Sequence, residues 1–449
     1  MTNEQYYWYR RQQLLRAYMN RQTIAAGYAQ SRKFNDEDYV LETSVNMTSE
    51  LYDRADERYN DIPLPDAGCS AVRIGNFHGR NLDYWYNEFP EYVVRTPKTD
   101  EFKATLGIAL FQQATLQQIK SKSKEFTENE WLIPFMMMDG INEDGLVCNM
   151  NMLPLGDNPN HPLEFRSKGN LGHWNRTYKT TSSDKSRRSL SLFVRTVLDN
   201  CNSVQGAIYL LDSYNWYAYF GKSNTRTDGL ELHFMLSDKN ETAIVEFVQD
   251  DNTGISFPNV MRYKKADDFI RKVGENDVKP IMTNFYLTGW DGDITGFESL
   301  PNENQTLTRY AMGLERYHYL DKHYPVEPYS FTSEQMLEYM KAVDYSQGYR
   351  TDWPEPYSKI WNTEFCDEFL WNDPKYGSVY PYGTHIELTP DEFAFYAKNV
   401  CNNYNIKHGQ KIRDNSTWHT VNRSVYDVEK KKLYVVFQQN ESLKKEYTL

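Results

Sequence analysis

Residues 69–85 read CSAVRIGNFHGRNLDYW. Two short runs, CSAVRI and GRNLDYW, flank the dipeptide Gly75-Asn76, the pattern of two strands closed by a tight turn. EYVVRT (residues 91–96) reads as the next strand, after a turn around Asn87–Pro90. A cysteine thus stands about a dozen residues before two opposite charges, Arg80 and Asp83. These charges are three apart and would face opposite sides of a regular strand, so a turn or bulge is expected if both are to reach one site. A thiol beside an arginine has a larger thiolate fraction. The competing reading is a buried, inert cysteine near a surface ion pair, because free cysteine is among the most buried residue types.

Upstream, residues 1–68 have a different character. Tyr7, Leu14, Leu15 and Tyr18 recur at helical spacing, so Glu4 to about Tyr28 reads as an amphipathic helix, and a second helix is expected around Ser49–Tyr59. The segment ends in IPLPDAG, two prolines and Gly68 breaking the chain just before Cys69. With few aliphatics, residues 1–68 read as a helical leader packed on a main domain of residues 69–449.

Downstream, FMMMDGINEDGLVCNMNM reads as a strand pair turning at Asn142–Gly145, and Leu190–Asp212 has helical periodicity. LELHFMLSDKNETAIVEFV is a hairpin turning at Asp238–Glu241. Thr306–Tyr319, Ser333–Asp344 and Pro390–Asn399 read as helices, and TVNRSVYDVEKKKLYVVFQ as a closing hairpin. Strands, then helices, then strands suggest an α+β layered body.

The bulk numbers close off several classes. A net charge of −12 offers no basic face for nucleic acid. Five scattered cysteines (Cys69, Cys148, Cys201, Cys366, Cys401) without a CxxC pair form neither a disulfide framework nor a zinc site, and the odd count fits a reducing, cytoplasmic compartment. Beyond Cys69 they read as packing residues. The N-terminus lacks the apolar core of a signal peptide, and no apolar run approaches the ~20 residues that span a bilayer. No metal-ligand spacing or Gly-rich phosphate loop is present, so no metal or cofactor is expected. Aromatics at 15% bias any substrate toward an apolar group.

The stretch CSAVRIGNFHGRNLDYW resembles the start of the mature chain in the choloylglycine hydrolase family of linear-amide C–N hydrolases. That family includes bile salt hydrolases and penicillin V acylases and, more distantly, acid ceramidase and the N-acylethanolamine amidases. The resemblance continues in order through DGINEDGLVCNMN, HFMLSDKNETAIVEF, MTNFY, TLTRY and SVYDVEKKKLYVVF, most of residues 69–440. It implies the αββα sandwich of N-terminal-nucleophile hydrolases. It also implies hydrolysis of a non-peptide carboxamide with an apolar acyl group through a thioester.

Carried over by position, Cys69 matches the nucleophile, Arg80 and Asp83 the pair of the GRNLD block, Asn284 the asparagine of the TN motif, and Arg309 a late arginine. The family's asparagine after Gly-Leu falls on Asn149 or Asn151, with Asn151 preferred. The resemblance implies that Cys69 attacks with its own α-amine as proton carrier, which requires the Gly68–Cys69 bond to be cut. Asp83 would orient the ammonium, Arg80 stabilise the thiolate, Asn284 with Asn151 donate to the oxyanion, and Arg309 supply a supporting charge. His78 is tempting as a base, yet the α-amine already fills that role. An acyltransferase on the same fold and a silent binding protein that keeps its leader stay open as alternatives, as does assembly into a homo-oligomer.

Overall fold

The computed structural model describes residues 40–58, 68–85, 90–111, 114–152, 187–217, 232–249, 256–264, 280–284, 331–342, 418–437 and 444–449. In chain order the elements are β1 (Val40–Ser44), α1 (Ser49–Arg58), β2 (Gly68–Ile74), β3 (Phe77–Trp85), β4 (Glu91–Thr96) and β5 (Thr105–Leu110). Next come α2 (Leu116–Lys120), α3 (Lys124–Asn129), a 3-10 helix (Glu130–Met136), β6 (Met137–Asn142), β7 (Val147–Met152) and β8 (Arg187–Ser189). Then follow α4 (Phe193–Asn200), α5 (Val204–Leu211), β9 (Asn215–Tyr217), β10 (Leu232–Ser237), β11 (Glu241–Gln249) and β12 (Ser256–Lys264). The last are β13 (Ile281–Met282), α6 (Ser333–Ala342), β14 (Trp418–Asp427), β15 (Lys432–Phe437) and β16 (Lys444–Thr448). The helices expected at Glu4–Tyr28, Thr306–Tyr319 and Pro390–Asn399 lie outside the described residues, as do Arg309, Cys366 and Cys401.

Two sheets carry the body. One has eight strands in the order β1-β4-β5-β6-β7-β10-β11-β12, the other six in the order β13-β2-β3-β14-β15-β16. They meet where β2 lies against β7; α4 and α5 cover the outer face of the larger sheet, and α6 covers β3 and β14 of the smaller. Helix, sheet, sheet, helix is the α+β sandwich expected from the sequence. Strands with both faces covered are buried along their whole length, as in β5, β6 and β10.

Local chemistry explains the joints. Gly75 turns β2 into β3 with φ +52°. Gly145 turns β6 toward β7 with φ +84°, and a Cβ there would meet the Val428 carbonyl oxygen at 2.2 Å. Gly79 lets α6 settle on β3, because a Cβ would stand 2.6 Å from Met336 and Met340.

Three expectations change. β3 and β4 are not hairpin partners: β3 lies in the smaller sheet and β4 in the larger, so the chain crosses between layers. The helical stretch Leu190–Asp212 is two helices, broken at Cys201, where the Ser203 side chain caps α5 by accepting from Gly206 N–H. Within residues 1–68 the described part holds a strand as well as the expected helix: β1 pairs in parallel with β4, and Met47, Tyr52 and Ala55 enter the main core. Alternation in VLETS serves an edge strand, with Leu41 and Thr43 half-buried on one face and Glu42 and Ser44 exposed on the other.

Candidate active site

Cys69 is the second residue of β2, and the Gly75-Asn76 turn brings β3 back beside it in unbroken register from Gly68↔Asp83 to Ile74↔Phe77. Residues directly opposite share a face, so Cys69, Ala71 and Arg73 stand with Leu82, Arg80 and His78 on the side that faces the larger sheet. Arg80 is fully buried there, and its Nη2 donates to Cys69 Sγ at 3.1 Å and to the Met150 carbonyl at 3.2 Å. Its Nη1 donates to Asp139 Oδ2 at 2.8 Å, an ion pair with both side chains at 0% exposure. Burial alone would lower the Arg80 pKa; the charges of Cys69 and Asp139 outweigh it and hold the guanidinium above its usual value. The partner of Arg80 is therefore Asp139 on β6, not Asp83.

Asp139 was not singled out by sequence reasoning. It accepts from Ser424 Oγ at 3.2 Å and from the Tyr426 hydroxyl as well as from Arg80. Burial, then the Asp139 charge, push the Tyr426 pKa well up, so the phenol remains a donor. A buried carboxylate with three donors is fixed in place and fixes Arg80 in turn. In the sequence Asp139 lies within the strand FMMMDGIN, and nothing there marks it until the two sheets are stacked.

Asp83 sits differently. With β3 regular against β2, strand alternation sends it to the face opposite Arg80, beside Gly68, where it accepts from Thr420 Oγ1 at 2.6 Å. The expected bulge lies in the partner strand β14, between Thr420 and Asn422, and β3 itself stays straight. Asp83 is thus the ladder partner of Gly68, the residue on the N-terminal side of the Gly68–Cys69 bond.

Asn284 comes from the far side. β13 pairs with β2 through Ile281↔Val72 and Met282↔Ala71, and two residues later Asn284 Oδ1 accepts from the Cys69 backbone N–H at 2.8 Å. Asn151 on β7 donates its amide hydrogens to the carbonyls of Met282 (3.3 Å) and Thr283 (3.2 Å). The structure thus gathers Cys69, Arg80 and Asn284 around one sulfur and one nitrogen. Asn151 stands one layer behind, holding the segment that carries Asn284.

Asn149, the alternative to Asn151, belongs to a directed chain of hydrogen bonds. Asn149 Nδ2 donates to Asn151 Oδ1 at 2.9 Å, and its own Oδ1 is 2.8 Å from His78 Nε2. An amide oxygen only accepts, so His78 carries its hydrogen on Nε2 and accepts at Nδ1 from Ser237 Oγ, 2.8 Å away. This is a neutral imidazole. Burial draws its pKa down to about 3, with Arg73 and Arg80 acting in the same direction and the Asn149 bond opposing. Because the folded pKa lies below the unfolded value of 6.5, only the unfolded chain takes up a proton between those values. This histidine therefore removes stability as pH falls from 6.5 toward 3, by up to about 1.4 kcal/mol per pH unit. His78→Gln should show a shallower loss of Tm between pH 7 and pH 4 than the wild type, and an unchanged slope would contradict the neutral assignment.

Cys148 and Cys201 are buried free thiols in the main core, with pKa values raised by burial, as expected of packing residues. Among the described residues no group of three or more His, Cys, Asp or Glu could hold a metal, and no helix is long and apolar enough to cross a membrane.

A family model of linear amide C-N hydrolases, choloylglycine hydrolase family, matches residues 163–257. The family of that model is the one the sequence motifs resemble. The matched segment holds α4, α5 and the β10–β11 hairpin, and none of the candidate residues from Cys69 to Arg309. No curated protein matches the sequence. Two crystal structures of conjugated bile acid hydrolase variants from Clostridium perfringens are similar at 15% identity and TM-score 0.41, covering 85% of this chain and 92% of theirs. Penicillin V acylase from Agrobacterium tumefaciens is similar at 13% identity and TM-score 0.28, covering 83% of each chain.

Proposed function

We propose that this choloylglycine-hydrolase-like chain is the precursor of a cysteine amidase whose nucleophile is Cys69, exposed as an N-terminus by cleavage after Gly68. One observation carries the reading: a guanidinium donates to the Cys69 sulfur while the same residue's backbone nitrogen donates to Asn284. An inert packing cysteine needs no buried guanidinium at its sulfur. The thiol is at 0% exposure in the uncut chain, which fits a site closed until processing.

The chemistry follows from what each group can do. An amide carbonyl is a weak electrophile, so it needs a nucleophile, a proton carrier and donors for the oxyanion. Cys69 Sγ adds to the carbonyl carbon as it gives up its proton, with Arg80 stabilising the negative charge that develops on sulfur. The freed α-amine of Cys69, with a reference pKa of ~7.7–8.0, takes the thiol proton and passes it to the leaving amine. Asn284 Oδ1 already accepts from that nitrogen, and the Asn284 amide group is assigned as the donor toward the carbonyl oxygen. Water then hydrolyses the thioester with the α-amine as base. Asp83, beside Gly68, is assigned to orient the ammonium once the bond is cut, and Arg309 to a supporting charge. The substrate is a small non-peptide amide with an apolar acyl group. A panel of glycine- and taurine-conjugated bile acids, penicillin V and N-acyl amides tests the reading. Release of amine from at least one class is expected; silence across the panel from a protein with a free Cys69 N-terminus would overturn it.

The N-terminal piece should remain after the cut. β1 is hydrogen-bonded into the larger sheet, and Tyr52 donates to buried Asp199, which also binds Arg195. Asp56 pairs with Arg188 at 3.0 Å. Burial of Met47 and Tyr52 side chains is worth roughly 1.5–3 kcal/mol each. The cut protein should therefore elute from native gel filtration as a two-chain species and separate only in denaturant. A freely dissociating leader fragment would show that these contacts do not hold it.

A further inference from the structure

β13 is only two residues long, and its ladder with β2 ends at Met282. Asn284 lies beyond the last paired residue, yet its side-chain Oδ1 meets Cys69 N–H at 2.8 Å. The contacts made by Thr283 therefore bear on where Asn284 sits. Across the larger sheet, Asn151, His233 and Glu246 form one continuous row, since His233 is the Cα partner of Asn151 on β7 and of Glu246 on β11. All three are at 0% exposure. His233 Nε2 lies 2.6 Å from the Thr283 carbonyl oxygen, and His233 Nδ1 lies 3.2 Å from Glu246 Oε1.

The hydrogen positions follow. A carbonyl oxygen only accepts, so Nε2 must carry a hydrogen. Nδ1 and the Glu246 carboxyl then share one further hydrogen between them, whichever atom holds it. Burying such a pair is expensive, and an apolar pair of similar volume is often at least as stabilising. A dry His–Glu pair aimed at a main-chain carbonyl is therefore better explained by placement than by stability.

We propose that His233 and Glu246 are positioning residues for the proposed amidase site: Glu246 orients the His233 ring, and His233, together with Asn151, clamps the Thr283 carbonyl and so sets Asn284 against the nucleophile. The proposal rests on the reading of Cys69 and Asn284 given above. Neither residue touches the sulfur, and the Arg80 arm of the site does not pass through them.

Two isosteric replacements separate the ring nitrogens. In His233→Gln the side-chain amide reaches about as far as Nε2 and can still donate to Thr283. In His233→Asn the amide reaches only as far as Nδ1 and keeps Glu246 while losing Thr283. With a substrate found in the amide panel, His233→Asn should lower kcat roughly 10- to 100-fold with little change in KM, the scale of a small misplacement of reacting groups. His233→Gln should recover most of it. Alkylation of Cys69 by iodoacetamide should be unchanged in both, because Arg80 still faces the sulfur. Deuterium exchange of a peptide spanning residues 280–284 should speed up in His233→Asn and stay slow in His233→Gln. Equal kcat values for the two variants, or parallel loss of kcat and alkylation in both, would overturn the positioning role. If the wild type hydrolyses no amide, the functional reading fails, and the exchange measurement still decides whether His233 holds Thr283. If both variants are misfolded, Glu246→Gln, which keeps the shape and can donate to Nδ1, should retain slow exchange at 280–284, and fast exchange in that folded variant would overturn the proposal.

Discussion

Cys69→Ala is expected to lose amide hydrolysis entirely within detection, a fall on the order of 10⁶-fold, as for removal of the nucleophile from other hydrolases. The same variant should accumulate as the uncut 449-residue chain. The reason is shared chemistry: the sulfur that attacks a substrate amide is also the group adjacent to the Gly68 carbonyl. Gly68 has no Cβ to shield that carbonyl, and its pairing with Asp83 holds the bond at the edge of the site. The fold should survive, because a small side chain replaces a buried thiol, with a cost near that of a modest core truncation. Intact mass and a circular dichroism melt on the purified variant check both halves. Normal cutting of Cys69→Ala would assign the cleavage to a separate protease and leave Cys69 only its role toward substrate.

Arg80→Gln carries the second-largest effect, a loss of turnover of roughly 10²-fold or more, the size of other electrostatic contributions in dry sites. Two consequences meet in this variant. The Cys69 sulfur loses the cation at 3.1 Å that favours the thiolate, so iodoacetamide labelling should move to higher pH. Asp139 loses its ion partner while remaining buried, so the variant should also be less stable by a few kcal/mol. Asp139→Asn is the informative companion: it keeps the shape around Tyr426 and Ser424, loosens Arg80, and should shift labelling in the same direction by less. Asp83→Asn should behave differently, since Asp83 lies on the opposite face of β3. Thiol labelling should hold. The α-amine should lose a nearby negative charge and titrate lower, so the acidic limb of the rate profile moves down in pH. An unshifted labelling profile in folded Arg80→Gln would remove Arg80 from the site.

The β2–β3 unit was legible in the sequence because everything it needs is local. A Gly-Asn turn fixes the register, and the register fixes which residues share the cysteine's face. The hairpins at Asp238–Glu241 and in residues 418–437 were readable for the same reason. What escaped depended on stacking one sheet on the other. Asp139, His233 and Glu246 are polar residues pointing into a space between sheets, where alternation ordinarily places apolar ones. In HFMLS the sequence shows the alternation but cannot say that the His-Met-Ser side is the inner one. The strand β1 was hidden for another reason: VLETS is short and half polar, and only its parallel partner β4 gives it a place. Asp83 and Arg80 form no pair with each other because the expected irregularity sits in β14, a strand more than three hundred residues later.

The most direct measurement is the intact mass and N-terminal sequence of wild-type protein purified in an active state. The expected result is a chain that begins Cys69-Ser70-Ala71-Val72-Arg73, accompanied by the 68-residue piece that precedes it. Full amide hydrolysis by a sample containing only the uncut 449-residue chain would contradict an N-terminal nucleophile at Cys69.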